Sequence, residues 1–352
     1  MRRWIFAACR FLLAVMHTAP SPLVDRFGRV HTDLRISLTD RCNLRCTYCM
    51  PAEGLNWLPK AEVLTDEEII RLARIAVRRL GIASVRLTGG EPLLRRGLPG
   101  LVGRLTELDV ELSLTTNGIG LARMAGDLKA AGLRRVNVSL DTLRRDRYQE
   151  ITRRDRIEDV FAGLAAAQEA GLAPVKINAV PVRGVNDDEI LDLVAFAADH
   201  GYRMRFIESM PLDAQGAWDR SAMITADELL AVLGTRYRLI PVERAPLGAG
   251  RGTPPAEEFR IAGTDTVLGV IASVTRPFCG TCDRVRLTAD GQLRNCLFAT
   301  EESDLRALLR GGAADAEIER AWRNTIARKG PGHEINSAAF VQPERPMSAI
   351  GG

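Results

Sequence analysis

The sequence predicts an α/β protein: a partial (β/α)6 TIM-like barrel followed by a C-terminal α+β domain. Three observations carry this. Between residues 33 and 208, strand-like and helix-like stretches alternate through six steps. Such alternation signals a parallel sheet with helices outside it. A complete barrel takes eight units, so six leave one side to be covered by something else. After Met210-Pro211 the rhythm changes to short segments of mixed type.

The first strand, Leu34–Leu38, runs into a cysteine-rich loop. Thr65-Asp-Glu-Glu68 is a capping box. Ile69, Ile70, Leu72, Ala73, Ala76 and Val77 continue it at helical spacing until Gly81 ends the helix. Ala83–Thr88 is the second strand and Leu98–Leu108 its helix. Val110–Thr116 with Leu121–Ala131, then Arg134–Leu140 with Ile157–Ala170, repeat the step, and Gly132 and Gly171 close the two helices. Pro174–Val180 and Asp187–His200 form the fifth step, and Tyr202–Glu208 is the sixth strand. Beyond it, Thr225-Ala-Asp-Glu228 caps a short helix. Strands are predicted at Tyr237–Ile240, Phe259–Ile261, Val267–Ser273, Val285–Thr288 and Gln292–Asn295, and helices at Asp304–Leu309 and Asp315–Arg328. Pro246–Pro255, rich in Gly and Pro, reads as a flexible loop. Pro331–Gly352 lacks periodicity and reads as an extended tail. The expected divisions are an extension over 1–22, the barrel over 23–211, a C-terminal domain over 212–330 and a tail over 331–352.

Apolar residues make up 46% of the 352 and charged residues 26%, an ordinary balance for a water-soluble enzyme. A net charge of +4 does not argue for nucleic acid but suits a polyanionic small substrate. Six of the seven cysteines fall into two clusters with metal-type spacing rather than disulfide-like spread. That points to a reducing compartment, the cytoplasm, with no membrane association. Cys9 is left over and reads as an inert small residue. Residues 1–15 have a basic start, with Arg2-Arg3 hinting at a twin-arginine signal, and then an apolar run. Arg10 breaks that run, so the stretch reads as an over-extended start before Met16 or a short apolar-faced helix.

Cys42-x3-Cys46-x2-Cys49 places three thiols close enough for one soft metal centre. Three sulfurs on a four-iron cluster leave one iron without a protein ligand, open to a substrate. Cys279-x2-Cys282-x13-Cys296 repeats the pattern of three. From spacing alone, this second group reads equally as a structural zinc site with His333 as a fourth ligand. In parallel barrels the working residues stand where strands end. Here those ends read Thr39-Asp40-Arg41, Thr88-Gly89-Gly90-Glu91-Pro92, Thr115-Thr116-Asn117-Gly118 and Ser139-Leu140-Asp141, with Arg205, Glu208 and Met210 at the sixth. Gly89-Gly90 would let backbone approach a ligand, although a tight turn needs glycine as often. Lys176 shares a strand face with Asn178 and Val180, and reads as inward-facing with an anion or outward in solvent. Arg35, Arg86, Arg284 and Arg286 are strand arginines whose forks match phosphate oxygens, or surface charges.

The cysteine motif with Tyr48 before its last cysteine, and Gly89-Gly90-Glu91 after the second strand, resemble the radical S-adenosylmethionine superfamily. Leu34–Pro51, Arg86–Arg95, Thr115–Gly118, Val136–Asp141, Cys279–Leu287 and the terminal Gly351-Gly352 resemble the GTP 3′,8-cyclase family of molybdenum cofactor biosynthesis, and the likeness runs from about Leu23 to the end. The resemblance implies that Cys42, Cys46 and Cys49 hold a [4Fe-4S] cluster that binds S-adenosylmethionine. It implies a second [4Fe-4S] cluster, on Cys279, Cys282 and Cys296 of the C-terminal domain, near the guanine. By the same likeness Tyr48, Gly90, Ser139, Arg205 and Met210 contact S-adenosylmethionine. Arg35, Arg86, Thr115, Lys176, Arg284, Val285 and Arg286 contact GTP, and Arg284, Arg286, Gly351 and Gly352 act in catalysis. The implied reaction is that of a lyase: a 5′-deoxyadenosyl radical takes ribose H3′, and C3′ then attacks guanine C8. The implied partners are GTP, a reducing electron donor and a downstream cyclic pyranopterin monophosphate synthase, for a monomer or homodimer. A peptide-modifying radical enzyme would share residues 42–49, but such enzymes usually carry more C-terminal cysteines. A zinc-stabilised binding module would keep the cysteines and lack iron.

Overall fold

The computed structural model of the chain describes residues 20–243, 254–338 and 340–351. Residues 1–19 with Cys9, most of the Pro246–Pro255 loop, and Gly352 lie outside the described residues. Strands β1 (Asp33–Ser37), β2 (Ser84–Thr88), β3 (Glu111–Thr116), β4 (Arg135–Ser139), β5 (Lys176–Ala179) and β6 (Arg203–Ile207) pair in parallel in chain order. Helices α1 (Asp66–Leu80), α2 (Leu98–Thr106), α3 (Leu121–Ala130), α4 (Arg145–Thr152), α5 (Ile157–Glu169) and α6 (Ile190–Asp199) connect them. Helix α1 starts as expected: Thr65 Oγ1 accepts from Glu68 N, the Glu68 carboxylate accepts from Thr65 N, and Gly81 ends the helix with φ 76°. Helix α4 has no counterpart in the sequence reading. It buries only Tyr148, Ile151 and Thr152, too few to show a helical period.

The C-terminal region comprises α7 (Ala226–Gly234), β7 (Leu239–Pro241), β8 (Glu257–Ile261), β9 (Val267–Ile271), β10 (Arg284–Leu287), β11 (Gln292–Arg294), β12 (Ser303–Asp304), α8 (Leu305–Arg310), α9 (Asp315–Ala327) and α10 (Met347–Ile350). Its strands build no sheet of their own. They lengthen the barrel sheet at both edges, in the order β12-β11-β10-β1-β2-β3-β4-β5-β6-β9-β8-β7. β10 lies parallel to β1, and β9 parallel to β6. The side that six units leave open is therefore flanked by C-terminal strands. The chain between β9 and β10 runs from one edge to the other and carries Cys279 and Cys282.

Side chains alternate across each strand. Leu34, Ile36, Val85, Leu87, Leu112, Leu114, Val136, Val138 and Ile177 point to the helices and are fully buried. Each such burial contributes about 1.5–3 kcal/mol. The alternate positions hold Arg35, Arg86, Ser113, Asn137, Asn178 and Arg205, so the concave face is polar. A small second core of Leu212, Met223, Val274, Phe298, Ile335 and Ile350 lies in the C-terminal region. It corrects the expectation of an extended tail. Ile350 is buried there, α10 forms just before Gly351, the last described residue, and Arg345 pairs with Asp290 at 2.8 Å and Glu302 at 2.8 Å.

Candidate active site between two cysteine triplets

The loop after β1 brings Cys42, Cys46 and Cys49 to one cleft, bordered also by Gly90, Asn117 and Ser139. All three thiols are free. Burial pushes Cys42 up to about 11 and Cys49 up to about 12, and raises Cys46 well above the ordinary thiol range. A bound metal would favour their thiolate forms. Leu44 N donates to the Cys42 sulfur at 3.4 Å, and Asn117 Nδ2 stands 3.8 Å from it. Such donors suit cluster thiolates, so the residues present fit an iron–sulfur cluster with one open iron. Among the described residues, no three His, Cys, Asp or Glu side chains converge as one metal ion requires. A four-iron cluster binds each cysteine at a different iron and so spreads them more widely.

The glycines after β2 make a close backbone contact of their own. A Cβ on Gly90 would fall 2.3 Å from Arg41 O, and one on Gly89 2.5 Å from Thr39 O. What approaches them closely is the protein's own cysteine loop. Gly90 N donates to Thr39 O at 2.7 Å, and Glu91 N to Arg41 O at 2.8 Å. Gly90 still borders the cleft. Glu91 is fully buried and accepts from Thr116 Oγ1 at 2.7 Å and Asn117 N at 2.7 Å. Burial outweighs these bonds and pushes its carboxyl up to about 7. Tyr48 donates its hydroxyl to Asp141 Oδ2 at 2.6 Å, and Val180 N donates to Asp141 Oδ1 at 2.8 Å. That pair ties the cysteine loop to the ends of β4 and β5.

Strand register lines up the arginines. Arg286 on β10 lies beside Arg35 on β1, Arg35 beside Arg86 on β2, and Arg86 beside Ser113 on β3. On the next rung, Arg284 lies beside Asp33. Asp33 reaches Arg284 at 3.8 Å and Arg35 at 4.0 Å. Burial, then the neighbouring Arg86 and Arg286, hold Arg35 well below its ordinary value. Burial likewise brings Arg286 to about 10 and Arg205 to about 9. Arg35 Nε, Arg205 Nε and Asn178 Oδ1 are buried and find no hydrogen-bond partner within the protein. Crowded, desolvated guanidinium groups of this kind fit a polyanionic ligand.

These arginines border a cleft of about 1390 Å³, measured out to its open mouth. Tyr48, Thr115, Ser139, Arg205 and Met210 line it from the barrel side, and Cys279, Cys282 and Cys296 from the C-terminal side. Lys176 lies in an adjoining cavity with Arg135 and Glu258, which shares Arg86, Arg205 and Arg284 with the cleft. Its side chain thus faces inward, and burial with Arg205 pushes it down to about 7. Val285 is the exception among the expected contacts. Its side chain packs at 0% exposure in the core opposite Leu34, leaving only main chain for a ligand. The reason is alternation: its neighbours Arg284 and Arg286 take the concave face.

Cys279 begins a single helical turn, and Cys282 N donates to Cys279 O at 3.2 Å. Burial raises the Cys279 thiol. At Cys282 burial is outweighed by Lys329 and Arg284, and the thiol is lowered. His333 is committed elsewhere. Its Nε2 stands 3.0 Å from Ser273 O, and its Nδ1 accepts from Ile335 N at 3.2 Å. That corrects the reading of His333 as a fourth metal ligand. Gly351 enters the barrel from the tail. Arg286 Nη1 donates to Gly351 O, and a Cβ on Gly351 would lie 2.9 Å from Thr88 Cγ2. Gly352, expected beside it, lies outside the described residues. Asp141 and Lys329 escaped the list of expected site residues. Asp141 ends the Ser139-Leu-Asp141 mouth and could have been found there. Lys329 follows a helix and carries no signal in the sequence.

Residues 36–197 match the Radical SAM superfamily, and residues 202–335 match Molybdenum Cofactor Synthesis C. A GTP 3′,8-cyclase of Streptomyces coelicolor is 61% identical over 332 residues, covering 94% of this chain and 96% of its own. One of Mycolicibacterium smegmatis is 57% identical over 342 residues, covering 95% and 93%. The chain belongs to the radical SAM enzymes and, within them, to the GTP 3′,8-cyclase family. In fold it is similar to Streptococcus suis SuiB, with TM-score 0.55 at 14% identity over 91% of this chain and 77% of that one. SuiB bound to its precursor peptide SuiA gives TM-score 0.53 at 15% identity, covering 80% and 65%.

Proposed function

We propose that this chain is a lyase that converts GTP to 3′,8-cyclo-7,8-dihydro-GTP for molybdenum cofactor biosynthesis. The observation that carries the reading is a pair of adjoining cavities that share Tyr48, Thr115, Ser139 and Asp141: one holds Cys42, Cys46 and Cys49, and the other holds the inward-facing arginines with Cys279, Cys282 and Cys296. Cys42, Cys46 and Cys49 would hold a [4Fe-4S] cluster, and Cys279, Cys282 and Cys296 a second. When bound, the first cluster and S-adenosylmethionine supply the electron transfer and the 5′-deoxyadenosyl radical that takes ribose H3′, so that C3′ closes on guanine C8.

The chain's own residues bind, orient and exclude water. Tyr48 and Asp141 fix the cysteine loop against the barrel mouth. Gly90, Ser139, Arg205 and Met210 seat S-adenosylmethionine. Arg35, Arg86, Arg284, Arg286 and Lys176 neutralise the triphosphate, with Thr115 and the Val285 main chain beside it. Gly351 closes the site from the tail while accepting from Arg286. A reducing donor supplies electrons, and the product passes to a cyclic pyranopterin monophosphate synthase. Oxygen-sensitive thiolate centres fit the cytoplasm; among the described residues no helix is long and apolar enough to cross a membrane.

The test is anaerobic incubation of the iron-loaded protein with GTP, S-adenosylmethionine and a reductant. GTP consumption matching 5′-deoxyadenosine formation is expected. Formation of 5′-deoxyadenosine without loss of GTP would point to another radical SAM substrate. Roughly eight irons per chain are expected if both triplets hold four-iron clusters.

A further inference from the structure

Lys329 lies just beyond α9, and 3% of its surface is exposed. Its ammonium stands 2.9 Å from Arg284 O, 3.4 Å from Cys282 O, 3.6 Å from the Cys282 sulfur and 3.5 Å from His31 Nδ1. None of these partners is a carboxylate. A buried ammonium without a counter-charge is costly, so its place beside a sulfur of the second triplet calls for negative charge there.

The surroundings hold that ammonium in place. His31 is fully buried, with Nε2 3.1 Å from Asp25 Oδ2. A proton on Nε2 serves Asp25 and leaves the Nδ1 lone pair for Lys329. Asp25 Oδ2 also accepts from Arg29 Nε at 2.5 Å. Arg29 donates to Cys279 O at 2.7 Å and to Gly330 O at 2.6 Å. One network therefore pins both the cysteine turn and the residue after Lys329. Arg284 also approaches the Cys282 sulfur, at 3.8 Å, but it borders the cleft. Lys329 does not line that cleft, so its effect on any reaction passes through Cys282 and the Arg284 main chain.

We propose that Lys329 is the counter-charge of the second cysteine centre: a positioning residue that orients Cys282 and favours the more negative, one-electron-reduced state of a cluster held there. This rests on the reading that Cys279, Cys282 and Cys296 hold an iron–sulfur cluster. Charge and hydrogen bonds at the ligand sulfurs set such potentials. The electron comes from the reducing donor the proposed reaction already needs; the donor is oxidised, the cluster is reduced, and no bond is broken.

The experiment compares anaerobically prepared holoenzyme of the wild type, Lys329→Met and Lys329→Arg by iron count and by redox titration followed by electron paramagnetic resonance. In Lys329→Met the midpoint potential of the second cluster is expected to move to a more negative value. The first cluster should stay where it was, and Lys329→Arg should restore most of the shift. Selective loss of the second cluster's iron from Lys329→Met, rescued in Lys329→Arg, supports the same charge requirement. An unchanged second potential in fully loaded Lys329→Met overturns the proposal alone, as does equal iron loss from both variants. Only one cluster's iron in the wild type overturns the second-cluster reading, and the proposal with it.

Discussion

At the scale of single residues, the barrel is governed by cations kept out of water. Lys176 is held near 7 by burial and by Arg205, so in the free protein it loses its charge as pH rises through neutrality. A bound triphosphate favours the ammonium. Binding GTP above pH 7 should therefore take up a proton at Lys176, and affinity should fall as pH rises from about 7 to 9. Below about 7 the lysine is already charged and its share of the pH dependence vanishes. Calorimetry in buffers of different ionisation enthalpy checks this, with Lys176→Gln as reference because GTP itself also titrates. Equal proton uptake by both proteins would refute it. Sequence pattern left the direction of Lys176 open, since Asn178 on the same face is polar either way. Only the packing of β5 between β4 and β6 decides that this face is concave.

At the scale of elements, Gly90 and Gly351 are two of the glycines that allow close contacts. A Cβ on Gly90 would strike Arg41 O, a backbone atom that cannot rotate away. Gly90→Ala is expected to displace the first cysteine loop and to cut iron from roughly eight to roughly four per chain. Full iron content would show that the loop can shift. Gly351 has φ 91° and meets Thr88 Cγ2 and Ser37 Cβ, so a larger residue there cannot seat the tail. Gly351→Val is expected to lower GTP turnover at least about tenfold, the equivalent of some 1.4 kcal/mol in the barrier, with iron content unchanged. Normal turnover would exclude a role for the tail. The helices and strands of the barrel were legible because their caps and periods are local: Thr65, Gly81 and the apolar runs name their own elements. α4 and α10 were not, because the first shows too few apolar positions. The second is held by distant partners, Arg345 on Asp290 and Ile350 in the second core.

At the scale of the molecule, the C-terminal region completes the sheet rather than sitting beside it. β9 and β10 cover the free edges of β6 and β1, which would otherwise expose unpaired backbone. A chain ending at residue 211 is expected to associate or precipitate rather than stay monomeric, as size-exclusion chromatography would show; a well-behaved monomer would mean that the barrel strands suffice alone. The cysteine spacings and strand mouths made the two triplets legible as centres, but not the adjoining of their two cavities, which depends on strand pairings remote in sequence. That remoteness bears on how the protein is made. Thr32 donates to Asp283 across 251 residues, beside the point where β1 meets β10. Loop-closure entropy has to be overcome before such a pairing gains anything, which slows folding. During synthesis β1 waits for almost the whole chain to emerge, whereas the loop holding Cys42, Cys46 and Cys49 emerges early. On the proposed reading of two clusters, the ligands of the first are thus complete in the growing chain long before Cys279, Cys282 and Cys296 can be brought beside β1.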